Sequence, residues 1–332
     1  MSTSIMAQEA LSSPDVIAKQ LVANRESCEL LSEKIRQFSP SLVYVIGRGS
    51  SDHAGVFAKY LIEIELGIPV AAAAPSVSSI YNTQLSLEQA LVIVISQSGR
   101  SPDILTQAQA AKNSGALCIA LVNDQHSPLA NMANFVLPLH AGEEKAIAAT
   151  KSYLATLSAL LQLVSHWKQD ACLLDALDEL PKHLYQAIDC SSQLNFEYLH
   201  TLRHCVVLGR GLGYAISREI ALKLKEVCGI HAEAFSSAEF LHGPVTLVEK
   251  ALSIIDVSVQ DESISSHKQQ IAEVGKRGAT LIHLSQAGFN MHPRIAPLSI
   301  LQRFYIDIEC ISKEMGLDPD NPVGLKKVTK TV

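Results

Sequence analysis

Apolar residues in this chain fall into short runs that end on glycine, and the arrangement repeats. The run Leu42–Ile46 stops at Gly47-Arg48-Gly49-Ser50-Ser51, the grammar of a buried strand feeding a tight turn. Cys205-Val206-Val207-Leu208 then precedes Gly209-Arg210-Gly211-Leu212-Gly213, again ahead of a helical pattern, which predicts an internal duplication. The halves meet at a linker before Asn195. In the first half, strand-like runs at 70–74, 90–95, 117–122 and 135–139 alternate with helix-length stretches, so a parallel sheet covered on both faces is expected. From Tyr153 the apolar positions Leu157, Leu160, Leu161 and Val164 follow a helical spacing, and 171–200 reads as helical too. The second half offers strands at 252–257 and 280–284 and a helix at 262–276. The pattern predicts an α/β protein, an open α/β sandwich built twice.

Composition narrows this picture. The chain has 332 residues, too many for one ordinary core and about right for two domains. With 48% hydrophobic and 18% charged residues it can bury a real core. A net charge of −6, with no Lys/Arg cluster interleaved with aromatics, argues against nucleic acid as a partner. Stretches such as Ala90–Ile95 fall far short of the roughly 20 apolar residues a membrane helix needs, so no membrane span is expected. Glu9 and Asp15 precede the first basic residue, Lys19, unlike a secretory signal, and a cytoplasmic location is expected. The seven cysteines are scattered singly, without a CxxC pair, and read as small buried hydrophobes.

The sharpest local signal is Ser96-Gln97-Ser98-Gly99-Arg100-Ser101-Pro102-Asp103, placed between an apolar strand and a helical run. Ligands sit at such strand ends in doubly wound sheets, and the N–H groups of the following helix attract an anion. Ser96, Ser98 and Ser101 with the amide of Gln97 can hydrogen-bond phosphate oxygens; the same residues also read as a serine-rich turn with Pro102 starting a helix. The Gly47-Arg48-Gly49 turn is not a dinucleotide fingerprint, because Asp52 stands where the third glycine belongs. The glycines at 209, 211 and 213 miss that spacing as well, and no nucleotide cofactor is expected. Ser50 and Ser51 fit better as further phosphate ligands or as a plain turn.

Glu219, Lys223 and Glu226 share one face of a predicted helix on which Ile220, Leu222, Leu224 and Val227 cover other faces, so they line a cleft or form a solvated ladder. Ser236 and Glu239 have the spacing of a capping box, and His242 precedes a Gly-Pro stop where an imidazole can titrate near neutrality. No metal-ligand cluster is apparent.

The stretches GRGSSDHAG, SQSGRSPD, AIAATKSY, ALKLKEVCGIHAEAF, EFLHGP and NPVGLKKVTKTV resemble the SIS (sugar isomerase) superfamily, in particular the isomerase half of glucosamine-6-phosphate synthase. The resemblance implies two tandem SIS domains, each a flavodoxin-like three-layer sandwich with a mainly parallel sheet. They would occupy 39–194 and 195–320, after a helical segment 1–38 and before an active-site tail 321–332. It also implies a homodimer, with the active site at the first domain's strand ends completed by the second domain, the tail and the partner subunit. Carried over by position, Ser51, Ser96, Gln97, Ser98 and Ser101 hold a phosphate and Ala148 contacts the sugar. Glu226 moves a proton between C1 and C2, with Lys223 assisting. His242, from the partner subunit, opens the ring, and Lys327 can form a Schiff base.

Two departures bear on the reaction. Ser2 follows Met1 where the synthase exposes a cysteine, and fewer than 42 residues precede the first strand, so glutamine is not expected to donate nitrogen. Arg100 replaces an acidic residue and resembles the single-chain SIS-type deaminases. The leading expectation is conversion of glucosamine 6-phosphate and water to fructose 6-phosphate and ammonium. A galactosamine-6-phosphate deaminase, a deglycase of fructosamine-type 6-phosphates and a non-catalytic sugar-phosphate sensor remain open.

Overall fold

The computed structural model describes residues 3–286 and 290–327. These form two compact units, one of Asp15–Glu144 with Lys151–Glu179, the other of 3–14, Lys145–Thr150 and Leu180–Lys327. The elements begin with α1 (Ile5–Leu11) and α2 (Ser13–Phe38). Then come β1 (Leu42–Ile46), α3 (Ser50–Leu66), β2 (Val70–Ala72), α4 (Pro75–Ser79), β3 (Ala90–Ile95) and α5 (Pro102–Asn113). They are followed by β4 (Leu117–Val122), α6 (Pro128–Met132), β5 (Phe135–Pro138), α7 (Lys151–Lys168) and α8 (Ala171–Asp189).

The strands of this part pair in the order β2-β1-β3-β4-β5, every neighbour parallel, which is the flavodoxin-like order. All six residues of β3 are buried, as a central strand with both faces covered must be. Ile46, Val92, Val94, Ile104, Ala108, Val122 and Leu129 form the core on one face. Helix α2 is stitched in by polar bonds that its own pattern does not reveal. Gln20 Nε2 donates to the carbonyls of Leu139 and Ala155, both at 2.9 Å, and Asn24 Nδ2 donates to Pro138 O at 2.8 Å.

The chain continues through α9 (Phe196–Leu199), β6 (His204–Gly209), α10 (Leu212–Cys228), β7 (His231–Ser236) and α11 (Ser237–Phe240). After a 3-10 turn at Pro244–Lys250 come β8 (Ser253–Ser258), α12 (Ile264–Lys276), β9 (Thr280–Ser285) and α13 (Ala296–Glu314). The second sheet, β7-β6-β8-β9, is again all parallel and repeats the first order without a fifth strand. Its core gathers Val206, Leu208, Phe240, Val248, Ile254, Ile271 and Val274. Among the described residues, no helix is long and apolar enough to cross a membrane.

The duplication is visible in the backbone. Helices α3 and α10 both follow a glycine with positive φ, Gly49 at 55° and Gly211 at 54°. Both run 17 residues and end on a left-handed glycine, Gly67 or Gly229. A side chain is strained at these φ values, so the two turns keep glycine for the same reason.

Two expectations need correction, and two elements were not anticipated. The helical reading of 171–200 breaks after Asp189, because tertiary bonds claim the backbone there. Asp307 Oδ2 accepts from Gln193 and Leu194 N–H at 2.9 and 3.3 Å, while Arg303 donates to the Ile188 and Cys190 carbonyls at 2.8 Å. Strand β7 and helix α13 carry no matching expectation; β7 lies at the sheet edge and buries only Ala232 fully, so it shows no apolar run. The Ser236–Glu239 capping box does not form, since Ser236 is the last residue of β7 and makes no side-chain cap bond, and Glu239 is exposed.

Candidate active site

In the first-sheet unit, three connections converge at the carboxyl ends of the strands. β3 emerges at Ser96, whose Oγ accepts the Gly99 N–H at 3.1 Å and closes the turn. Gly99 has φ +61°, and a Cβ on it would collide with the Ser127 hydroxyl, so both the conformation and the close approach demand glycine. Gln97 and Ser98 are half-buried, and Ser101 is the N-cap of α5 without a side-chain cap bond. Ser50 and Ser51 open α3 after β1 and are also half-buried. Two helix N-termini thus sit beside hydroxyl-bearing turns at the β1/β3 switch point, the place where doubly wound sheets bind ligands.

Charged side chains brace this rim. Arg48 Nε donates to Asp103 Oδ2 at 2.8 Å, tying the turn after β1 to the first turn of α5. Arg100 donates to Asp124 Oδ2 at 2.7 Å, and that bond holds the Asp124 carboxyl below its usual range. Asn123 donates to Gly142 O at 2.7 Å and accepts from Ala141 N at 2.8 Å. Gln97, Ser98, Arg100, Asn123, Asp124, Gly142 and Glu143 line an open cleft of about 420 Å³. Sequence reading did not single out Arg48, Asn123 and Asp124 as site residues. A polar residue just after a predicted strand is the signal that could have found them.

The second-sheet unit carries a different chemistry. On α10, Lys223 Nζ lies 3.0 Å from Glu219 Oε1 and 2.6 Å from Glu226 Oε2. Lys223 and Glu219 are fully buried, whereas the Glu226 side chain keeps 22% of its surface exposed. Burial disfavours the charged amine, yet the two carboxylates outweigh it and hold the Lys223 pKa above its ordinary value. The arrangement is a buried cation between one buried and one accessible carboxylate. His242 is exposed, on a turn whose N–H donates to Glu239 O at 3.0 Å.

Ala148 is buried in the same unit, inside the short segment Lys145–Thr150. Lys327 Nζ donates to Ala146 O at 2.6 Å. The last five residues of the NPVGLKKVTKTV stretch lie outside the described residues. The serine loops are therefore assembled within one unit, and Glu219, Lys223, Glu226, His242, Ala148 and Lys327 belong to the other.

Two parallel sheets of one strand order, one bordered by hydroxyl-rich turns and the other by a helix with a buried acid–lysine–acid row, define a tandem doubly wound α/β protein. The chain belongs to the SIS domain family, whose model matches residues 39–166 and 198–294. The isomerizing glutamine–fructose-6-phosphate aminotransferase of Clostridium tetani is 31% identical over 327 residues, 91% of this chain and 53% of that protein. Its Aquifex aeolicus counterpart is 29% identical over 97% of this chain and 57% of its own length. The chain thus spans about half the length of the curated relatives it matches. A solved structure from Silicibacter pomeroyi, provisionally assigned as a phosphosugar isomerase, superposes with TM-score 0.87 at 35% identity, covering 96% of this chain and 100% of that one. The C-terminal domain of the Francisella tularensis glucosamine-fructose-6-phosphate aminotransferase superposes with TM-score 0.84 at 25% identity, covering 97% and 99%.

Proposed function

We propose that this chain is an amino-sugar-6-phosphate isomerase of the deaminating kind, turning glucosamine 6-phosphate and water into fructose 6-phosphate and ammonium. The observation that carries the reading is the Glu219–Lys223–Glu226 row: two buried charges beside one accessible carboxylate on a helix that also buries Ile216, Ile220, Leu224 and Val227. The aminotransferase relatives, which act on fructose 6-phosphate by name, supply the substrate class.

In this reading the hydroxyls of Ser50, Ser51, Ser96, Ser98 and Ser101, with Gln97, receive the phosphate, and Ala148 packs against the sugar. His242, supplied by the partner subunit of a homodimer, opens the ring and exposes the C1 aldehyde. Glu226 takes the C2 proton and returns it to C1. Lys223 orients that carboxylate through its 2.6 Å contact. The C2 imine that results is hydrolysed by water, directly or after exchange onto the Lys327 amine, and ammonium leaves.

The test is a panel of hexosamine and fructosamine-type 6-phosphates, with ammonium and ketose 6-phosphate both measured. Glucosamine 6-phosphate should give equal amounts of the two products. Glu226→Gln should lower kcat by about 10²–10⁴-fold while calorimetry still detects sugar-phosphate binding. Tight binding of these sugars without any product from the panel would replace this reading with that of a sensor.

A further inference from the structure

The segment Lys145–Thr150 lies in the second-sheet unit with both ends of the described chain, and three residues from those ends hold its backbone. Glu9, on α1, is buried, and its carboxylate accepts the N–H groups of Lys145 at 2.5 Å and Ala146 at 3.3 Å. The next peptide group, between Ala146 and Ile147, is held at both ends from the tail. Its N–H donates to Asp320 O at 3.1 Å, and its carbonyl accepts from Lys327 Nζ at 2.6 Å. The Asp320 carboxylate turns back to α1, accepting from Ile5 N at 2.9 Å and Met6 N at 2.7 Å. α1 is itself fixed to α13, since Ser4 Oγ donates to Glu309 at 2.5 Å and Gln302 Nε2 donates to Ala10 O at 2.9 Å.

A buried carboxylate is expensive unless donors satisfy it, and bonds from N–H groups to an ionised oxygen are the stronger kind. The first-turn N–H groups of α1 hold Asp320 and the Glu9 side chain holds Lys145 and Ala146, so one short helix carries both clamps. With Glu9 in place, the Ala146 carbonyl has a fixed direction, and that carbonyl receives the lysine amine. We infer that Glu9 is a positioning residue for Lys327: α1 sets the backbone of 145–147, and the Ala146 carbonyl docks the tail lysine at a defined place and orientation.

A role for the docked amine in turnover rests on the reading of Lys327 above, but the docking itself does not. Glu9→Gln keeps the size and one acceptor while turning an N–H donor toward one of the two backbone donors. With no substrate present, acylation of Lys327 by an amine-reactive ester, read by peptide mass spectrometry against the neighbouring Lys326, should rise about tenfold, the change expected from losing one charge-assisted hydrogen bond. Glu9→Asp should restore part of the protection. Should Glu9→Gln fail to fold, Asp320→Asn tests the same clamp from the tail side. Unchanged Lys327 labelling in the folded variant overturns the docking, whatever the enzyme's reaction. With glucosamine 6-phosphate, Glu9→Gln should lower kcat and leave KM in place. Raised labelling with unchanged kcat would overturn the positioning role while leaving the proposed function standing.

Discussion

The two sheets share a backbone plan and part company in chemistry. Aligning Gly49 on Gly211 and Gly67 on Gly229 sets Phe57, Leu61 and Ile64 of α3 opposite Glu219, Lys223 and Glu226 of α10. Phe57 and Leu61 are 0% exposed, and Glu219 and Lys223 are 0% and 1%, so equivalent buried positions hold a hydrophobe in one copy and a charge in the other. The helix and its packing therefore do not require the ions. A buried ion pair is weak evidence for stability, because well-packed apolar side chains serve as well or better. The charges in α10 thus stand where α3 buries hydrophobes, at positions whose packing in the first copy calls for no ion.

The second contrast lies in the turns after β3 and β8. The first turn offers serine hydroxyls to an incoming group. In the second, Val259-Gln260-Asp261-Glu262-Ser263, the chain supplies its own anions. Asp261 Oδ1 accepts from Ser263 N at 2.8 Å and Ser263 Oγ at 2.6 Å, while Glu262 grips Arg294 at 2.7 and 2.9 Å. Even inside the strand, Asp256 takes a place in β8 and accepts from His267 at 2.6 Å and His283 at 2.7 Å, where β3 is wholly apolar. One duplicated turn borders an open cleft with hydroxyls, and the other is occupied by its own carboxylates.

The widest break in this comparison comes from α10. Lys223→Leu, which leaves Glu219 buried without its cation, should destabilise the protein by roughly 3–5 kcal/mol. Glu219→Phe with Lys223→Leu, which rewrites α10 as α3, should recover most of that loss while remaining inactive. A double variant as unstable in denaturant titration as the single one would mean that the fold needs the ions.

A smaller effect is expected at the first turn. Ser98→Asp imports the acid of the second turn and should weaken binding of inorganic phosphate or a sugar phosphate by about 10–1000-fold, given roughly 1–4 kcal/mol of repulsion at close range. Calorimetry at fixed ionic strength reads this directly, and unchanged affinity would remove the turn from the phosphate site.

The smallest effect is a pH dependence in the second turn. Hydrogen bonds from Arg294 lower the Glu262 pKa from 4.5 to about 2. A depressed carboxyl stabilises above its unfolded pKa and loses that contribution as pH falls through its folded value. The Glu262 side chain is 75% exposed, so screening keeps the contribution within about 1 kcal/mol. The Tm gap between wild type and Glu262→Gln should be open at about pH 5 and nearly closed at about pH 2. A gap of equal size at both values would assign the effect to something other than this ion pair.

Much of this molecule can be read from the chain itself, because local chemistry and burial agree there. Leu42–Ile46, Ala90–Ile95 and Leu117–Val122 are apolar on both faces because helices cover both, so composition alone marks them as central strands. The glycines of the two turns answer to backbone geometry, and the SQSGRSPD stretch carries its own helix start. The shared helical face of Glu219, Lys223 and Glu226 follows from spacing, but their contact and the burial of the lysine do not. Spacing cannot tell a solvated ladder from a buried row, and only the packing of the second unit decides it. The break after Asp189 lies further out of reach, since it depends on Asp307 and Arg303, more than a hundred residues downstream. Glu9 is the clearest case. In the sequence it is one acid on a short helix, and its partners Lys145 and Ala146 are 136 and 137 residues away. Sequence determines what is local, namely strand, turn and helical face, because those depend on neighbours a few residues apart. The pairing of a buried charge with distant backbone is fixed only when the chain closes on itself and removes the water that would otherwise have satisfied both.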